Sequence, residues 1–318
     1  MASLAGISLE RDVPIEEIAD YLHDPDNLVW MDIQDPGEAE LTMLMEEFGF
    51  HPLALDDVVT GVQRPKIDEY RGYVFLVVFG VRAGPEPGSF ETTEIDLFIG
   101  RNYLVTCHRR AAEQLEEALR RWTGGGEMLR EGVGFLVYAV MDALIDAYFP
   151  VVDAIEEQVD QIELQIFTED SQPVPQKLLA LKRDLFTLRR LAQPLREVFG
   201  RFTRPDQTLF SPNTMVYFQS VYDQVLRILD VIDAERDMVG SALEAHLTVI
   251  STRLNVTMKT LTVVSVVLGT GAAVFGAWGM NVPGLPWADH PAGFWFVVVG
   301  MTLLIVGALL TARKRRWL

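Results

Sequence analysis

The chain has 318 residues, of which 45 are acidic and 27 basic, a formal net charge of −18, and 49% of its residues are hydrophobic. That charge excludes a nucleic-acid binder, which needs a basic footprint, and favours cations. The single Cys107 excludes a disulfide framework and fits a reducing compartment, while the length leaves room for one or two soluble domains with a real core.

The N-terminal MASLAGISLERDV has no basic region followed by an apolar core, so no cleaved signal is expected. A helix with proline at its start is predicted over Pro14–Leu22, a strand over Leu28–Ile33, a helix over about Gly37–Phe48 and another after His51-Pro52. Three runs rich in β-branched and aromatic residues then predict strands at Tyr73–Arg82, Glu91–Ile99 and Tyr103–His108, with helices resuming at Ala111. The expectation for residues 1–126 is a small α/β domain with a mixed sheet.

From Val133 the pattern is helical, and a helical arm hairpin is expected over 127–205. Asp153–Asp170 holds seven acids and no base, whereas Lys177–Arg204 holds eight bases and two acids, with a Pro173-Val-Pro175 turn between them. Packed antiparallel, the two would set opposite charges face to face, each surface pair contributing ~0–1 kcal/mol. Alternatively the acidic arm collects hydrated cations. A stalk follows over 206–260. Between Pro212 and Pro283 lie 70 residues without a proline, enough for one helical rod of roughly 105 Å that copies packed around an axis would support.

Leu261–Trp278 is 18 residues without an ionisable side chain, roughly 27 Å of helix, and Phe294–Ala312 is a second uncharged run of 19. We therefore expect a first transmembrane helix with its closing tripeptide over 261–281, an external loop over 282–293, a second span over 294–312 and a basic tail over 313–318. The link Gly279–Gly293 has no Lys or Arg, while Arg253 and Lys259 precede the first span and Arg313, Lys314, Arg315 and Arg316 follow the second. The positive-inside rule then places the loop outside and both termini in the cytoplasm. A buried hairpin of a soluble enzyme fails on length and on the basic collar. Because only Asp289 among the acids and five of the bases lie beyond Met258, residues 1–258 carry 44 acids against 22 bases. Solubility alone explains such acidity in a soluble protein, but is a less sufficient reason beside a pore.

Reading back from Gly276 in steps of three and four gives one stripe: Gly276, Ala272, Gly269, Ser265, Thr262, Met258, Asn255. Polar groups in a membrane helix face a bundle interior or water, so the stripe is a candidate pore lining; close helix packing through small residues is the other reading. Asp223, Asp230, Asp237 and Glu244 recur every seven residues. Parallel helices in a ring would stack them as carboxylate rings suited to a partly hydrated Mg²⁺; a solvated outer face is the alternative.

The apolar helix closing in Gly279-Met280-Asn281, a short loop, a second span and a basic terminus ending Lys-Arg-Arg-Trp-Leu resemble the CorA family of divalent-metal transporters. HPLALDDVV, QRPKIDEYRGYVFLVV and LFIGRNYLVTCH are similar to the family's N-terminal domains, so the resemblance covers nearly the whole chain. It implies an α+β cytosolic domain, long helices and a two-span C-terminal transmembrane hairpin in a funnel-like homopentamer of the inner membrane. It also implies Gly279, Met280 and Asn281 as the outer filter, Met258 and Leu261 as a hydrophobic constriction, and Glu244 and Asn255 as axial acid and amide ring. The expected partners are divalent cations, the bilayer and further copies of the chain. No cofactor is expected, Mg²⁺ being substrate and regulatory ligand. The chain departs from the usual family pattern with Trp278, with Gly269 and Gly271 in place of a kink proline, and with the loop Val282-Pro-Gly-Leu-Pro, which leans towards the zinc-transporting ZntB branch. The five histidines have no metal-ligand spacing and Gly269–Gly276 misses the dinucleotide fingerprint, so no enzyme is expected. A channel for Mg²⁺, with Co²⁺ or Ni²⁺ as further cargo, is the leading reading; the rival from another class is a membrane-tethered cation sensor that conducts nothing.

Overall fold

A computed structural model describes residues 2–3, 17–62, 64–86, 88–124, 130–166, 173–204, 209–280 and 290–314. It divides into two units, 1–242 and 243–318. In the first, the described residues form one sheet of β1 (Ala2–Ser3), β2 (Leu28–Gln34), β3 (Lys66–Tyr70), β4 (Tyr73–Ala83), β5 (Phe90–Ile99) and β6 (Tyr103–His108). The order is β1-β2-β6-β5-β4-β3, with β2 and β6 parallel and every other pair antiparallel, which makes the sheet mixed. β3 was not among the expected strands. It reaches β4 across Arg71-Gly72, where Gly72 at φ 97° takes a conformation that a side chain would strain, and Lys66 ties it down through Asp57 at 2.5 Å and Asp68 at 2.8 Å.

Alternation along the strands gives each sheet face its own core. On one face Phe75, Phe98, Val105 and Cys107 meet Leu44 of α2 (Glu38–Glu47), Phe50, and Leu55 of α3 (Pro52–Thr60), with Phe50 stacked on Phe98 at 4.1 Å. α1 (Ile18–His23) adds Ile18 to this core. The His51-Pro52 pair starts α3 because the imidazole Nδ1 accepts the Leu53 amide at 3.2 Å and proline occupies the first turn. On the other face Trp122 of α4 (Glu113–Thr123) meets Trp30 edge-on at 6.2 Å, and α5 (Val133–Asp146) and α6 (Tyr148–Ile166) pack on β4. Val133–Ile166 is apolar enough to cross a membrane, but 67% of its most apolar window is buried, so it serves as core. Phe98→Ala removes a fully buried ring and is expected to cost ~3–5 kcal/mol, lowering the melting temperature of the full chain by on the order of 10 °C in a thermal-shift measurement.

A polar thread crosses the parallel pair. Trp30 Nε1 donates to Thr106 Oγ1 at 3.1 Å, Thr106 donates to Asp32 at 2.5 Å, and His108 Nε2 lies 3.2 Å from the same carboxylate. His108 Nδ1 faces the Arg110 carbonyl at 2.6 Å, so both ring nitrogens are offered acceptors. Burial pulls this imidazole down, but Asp32 and the Arg110 carbonyl outweigh it and hold the pKa above its ordinary value. A raised folded pKa contributes stability that is complete below the unfolded value of about 6.5 and is lost as pH rises through the folded value. Urea unfolding should therefore show less of this stabilisation at about pH 8.5 than at about pH 5.5. In Asp32→Asn that part of the pH dependence should disappear; an unchanged dependence would contradict the assignment.

α6 packs on α7 (Val174–Ala192) through an apolar seam, with Ile155, Val159 and Ile162 buried on one and Leu178, Leu181 and Leu185 on the other. The expected pairing of acidic arm with basic arm is not found: among the described residues no ion pair joins α6 to α7. Arg189 instead bonds Asp233 at 2.8 Å on α9 (Pro212–Gly279), and Glu156, Asp160 and Glu163 crowd Glu235 of the same helix. Burial first, then those three acids, push the Glu235 carboxyl up. The seam decides the arrangement because buried apolar area outweighs surface ion pairs. α8 (Leu195–Phe202) closes the unit with Phe199 and Phe202 against Phe218 of α9.

The second unit consists of the remainder of α9 and of α10 (Gly293–Lys314). α9 is one unbroken helix of 68 residues, as the absence of proline led one to expect. Both helices are long and apolar enough to cross a membrane, and their most apolar windows are only 6% and 11% buried.

Candidate functional site

The membrane part of α9 has distinct faces. Thr260, Val263, Val267, Thr270, Val274 and Trp278 are buried or half-buried at steps of three and four, a single line along the helix. This line meets α10: a Cβ added at neighbouring Gly271 would come within 3.3 Å of Met301, and Val263 shares a hollow of about 340 Å³ with Gly307 and Ala308. Asn255, Met258, Leu261, Thr262, Ser265, Gly269, Ala272 and Gly276 are all exposed. At about 100° per residue their centre lies roughly 180° from the α10 line. Thr262 sits at the edge of the stripe, since it also lines the hollow against α10. Val264, Leu268 and Phe275 form a separate exposed apolar flank. Close packing of the small residues against α10 of the same chain is therefore ruled out as the reason for the stripe.

The hydroxyls along this helix turn inward. Thr248 donates to the Glu244 carbonyl at 2.9 Å and Thr262 to the Met258 carbonyl at 2.8 Å. A hydroxyl whose hydrogen is spent on its own helix still presents its oxygen lone pairs outward, which suits a cation and not an anion.

Below the apolar stretch, Asp223, Asp230, Asp237 and Glu244 are exposed, and the seven-residue step continues through Ser251, Met258, Ser265 and Ala272. Such a line drifts by roughly 20° per step on a straight helix, so it stays close to one face over two or three steps. Asp223 accepts the Gln219 amide at 3.2 Å, and Asp237 lies 3.3 Å from Arg236, which also serves Asp233 at 3.2 Å. Among the described residues of one chain, no three His, Cys, Asp or Glu side chains converge on a point where a metal ion could sit. Glu235, only 7% exposed between the acids of α6, is an acidic position that periodicity alone did not single out.

α9 ends at Gly279, and the Met280 amide returns to the Ala277 carbonyl at 3.4 Å. Asn281, the third member of the tripeptide, lies outside the described residues, as do loop positions 282–289. At the start of α10 the His290 ring accepts the Ala292 amide at 3.2 Å, a capping role with no counterpart in the sequence reading. Arg313 and Lys314 are exposed at the end of α10, while Arg315 and Arg316 lie outside the described residues.

Over the whole chain this arrangement has known counterparts. YfjQ of Bacillus subtilis is 30% identical over 322 residues, covering 100% of this chain and 98% of the relative. The cobalt/magnesium transport protein CorA of Thermotoga maritima is 27% identical over 310 residues, 97% of this chain and 88% of that one. The solved structure of the CorA magnesium transporter from Methanocaldococcus jannaschii superposes with a TM-score of 0.77 at 22% identity, covering 99% of this chain and 95% of that chain. The family model described as CorA-like Mg²⁺ transporter protein matches residues 25–314, and the chain, with its mixed-sheet domain, unbroken long helix and C-terminal apolar pair, belongs to that family of divalent-cation transporters.

Proposed function

We propose that the chain is a homopentameric Mg²⁺ channel of the inner membrane, with two spans per subunit, both termini in the cytoplasm, and inward flow driven by the membrane potential. The observation that carries this reading is the exposed stripe of small and polar residues on α9, turned away from α10. In a ring of subunits, Asn255, Thr262, Ser265, Gly269, Ala272 and Gly276 would face the axis, with Met258 and Leu261 gating by dewetting. Gly279, Met280 and Asn281 form the outer mouth. Asp223, Asp230, Asp237 and Glu244 supply carboxylate rings below the gate, and Arg313, Lys314, Arg315 and Arg316 a basic collar at the cytoplasmic surface. The family assignment makes the protein a transporter and not an enzyme. Entry of a doubly charged ion gains about 4.6 kcal/mol per 100 mV, so neither a cofactor nor ATP hydrolysis is required.

Mg²⁺ uptake into proteoliposomes with an imposed negative interior tests this reading. We expect uptake that grows with the imposed potential. An intact oligomer without flux would favour the non-conducting sensor. The Gly-Leu-Pro sequence of the outer loop supports a second reading, a ZntB-like Zn²⁺ transporter. Zn²⁺ entering faster than Mg²⁺ in the same vesicles would select it.

A further inference from the structure

The first unit holds a basic hollow whose lining shares only Asp230 with the proposed ion path. Its volume is about 900 Å³, and six bases and three acids line it, the reverse of the chain's overall balance. Three of the bases are committed: Lys66 to Asp57 and Asp68, Arg189 to Asp233, and Arg201 to Glu197. Arg64, Arg190 and Arg196 are exposed and have no carboxylate partner among the described residues. Arg190 lies in the last turn of α7, where the helix dipole favours a cation. No such reason covers Arg64, which precedes β3, and Arg196 stands in the first turn of α8, where the dipole opposes it. Guanidinium groups brought together around one hollow repel each other, and a polyanion between them removes that cost.

The other wall is mixed, with Asp230 and Asp233 beside an apolar patch. Tyr222, Leu226 and Leu229 of α9 face into the same space. Planar guanidinium forks match phosphate oxygens two at a time, and three of them suit a chain of three phosphates. A phosphate chain alone would leave most of the volume and the aromatic wall unused, whereas a nucleoside fills a cavity of this size. We propose that this hollow binds a nucleoside triphosphate, with the phosphates on Arg64, Arg190 and Arg196 and the base against Tyr222 and the two leucines.

Calorimetric titration of the full-length protein in nanodiscs, in buffer with EDTA, tests the site with ATP, inorganic triphosphate and adenosine. ATP should bind saturably and adenosine should give no heat. Arg190→Gln and Arg196→Gln should each weaken ATP by at least about tenfold, while Lys182→Gln, outside the hollow, should leave it unchanged. Both arginines are exposed, so an unaltered circular-dichroism spectrum is expected in each variant. The assignment is overturned if the intact oligomer takes up no ATP at millimolar concentration, as when carboxylates of a neighbouring copy already occupy the arginines. Equal affinity in the arginine variants overturns it too. Inorganic triphosphate binding as tightly as ATP would remove the nucleoside from the proposal.

Discussion

Asn281→Ala is expected to abolish Mg²⁺ uptake, to below about one-hundredth of the parental rate, with expression and oligomer size unchanged. A carboxamide oxygen can accept a hydrogen bond from the water shell that Mg²⁺ surrenders reluctantly, and a methyl group cannot. A hydrogen bond to a charged partner is worth ~1.5–3 kcal/mol, and every subunit of a ring loses it at once. Since about 1.4 kcal/mol is a factor of ten, two such losses already exceed a hundredfold. The position follows from the sequence: α9 ends at Gly279, and Asn281 is the second residue beyond it. Asn281→Gln, which keeps the amide but moves it by a methylene, should retain partial uptake. Parental flux in Asn281→Ala would remove the filter role.

What could be read from the sequence was whatever periodicity encodes directly. Tyr73–Arg82 and Glu91–Ile99 are long β-branched runs, and they became β4 and β5 with ends shifted by one residue. The proline-free stretch became α9, and its small-residue stripe emerged as an exposed face because a helix places residues by spacing alone. β3 was missed because Lys-Ile-Asp-Glu-Tyr is an edge strand with only Ile67 and Tyr70 apolar, and its pairing depends on the Gly72 turn. The arm charges were misassigned for another reason. Composition says how many acids α6 carries, but which charges they act on is settled by the apolar seam: Glu156, Asp160 and Glu163 raise the Glu235 carboxyl and make no ion pair with the bases of α7 among the described residues. The basic hollow was likewise invisible, since Arg64, Arg190 and Arg196 come from three separate elements and only tertiary packing assembles them.

Stalk protection by Mg²⁺ should be lost in the double variant Asp237→Ala/Glu244→Ala and retained in Asp223→Ala. The four heptad acids are exposed on the single chain, so neighbouring copies around an axis would bring like charges together. Abundant cytosolic Mg²⁺ would bridge those carboxylates, draw the stalks together and hold the constriction at Met258 and Leu261 shut; depletion would leave repulsion to loosen them. Asp237 and Glu244 have the shortest lever, since Met258 follows Glu244 by 14 residues, roughly 21 Å of helix. Of the two, Glu244 has no ion-pair partner among the described residues, while Asp237 shares Arg236 with Asp233, so Glu244 should carry the greater part of the effect. Each bridge relieves repulsion at the next interface, so closing should be cooperative, with protection rising over less than about a hundredfold range of Mg²⁺. Limited proteolysis of the reconstituted protein against Mg²⁺ concentration reads this directly, with protection present in the parent and absent from the double variant over the same range. The same variant should keep conducting when vesicles are preloaded with Mg²⁺ that silences the parent. Protection that stays flat from micromolar to tens of millimolar Mg²⁺ in the parent would end the gating proposal, whereas an equal loss in Asp223→Ala would move the sensor down the stalk, away from the constriction.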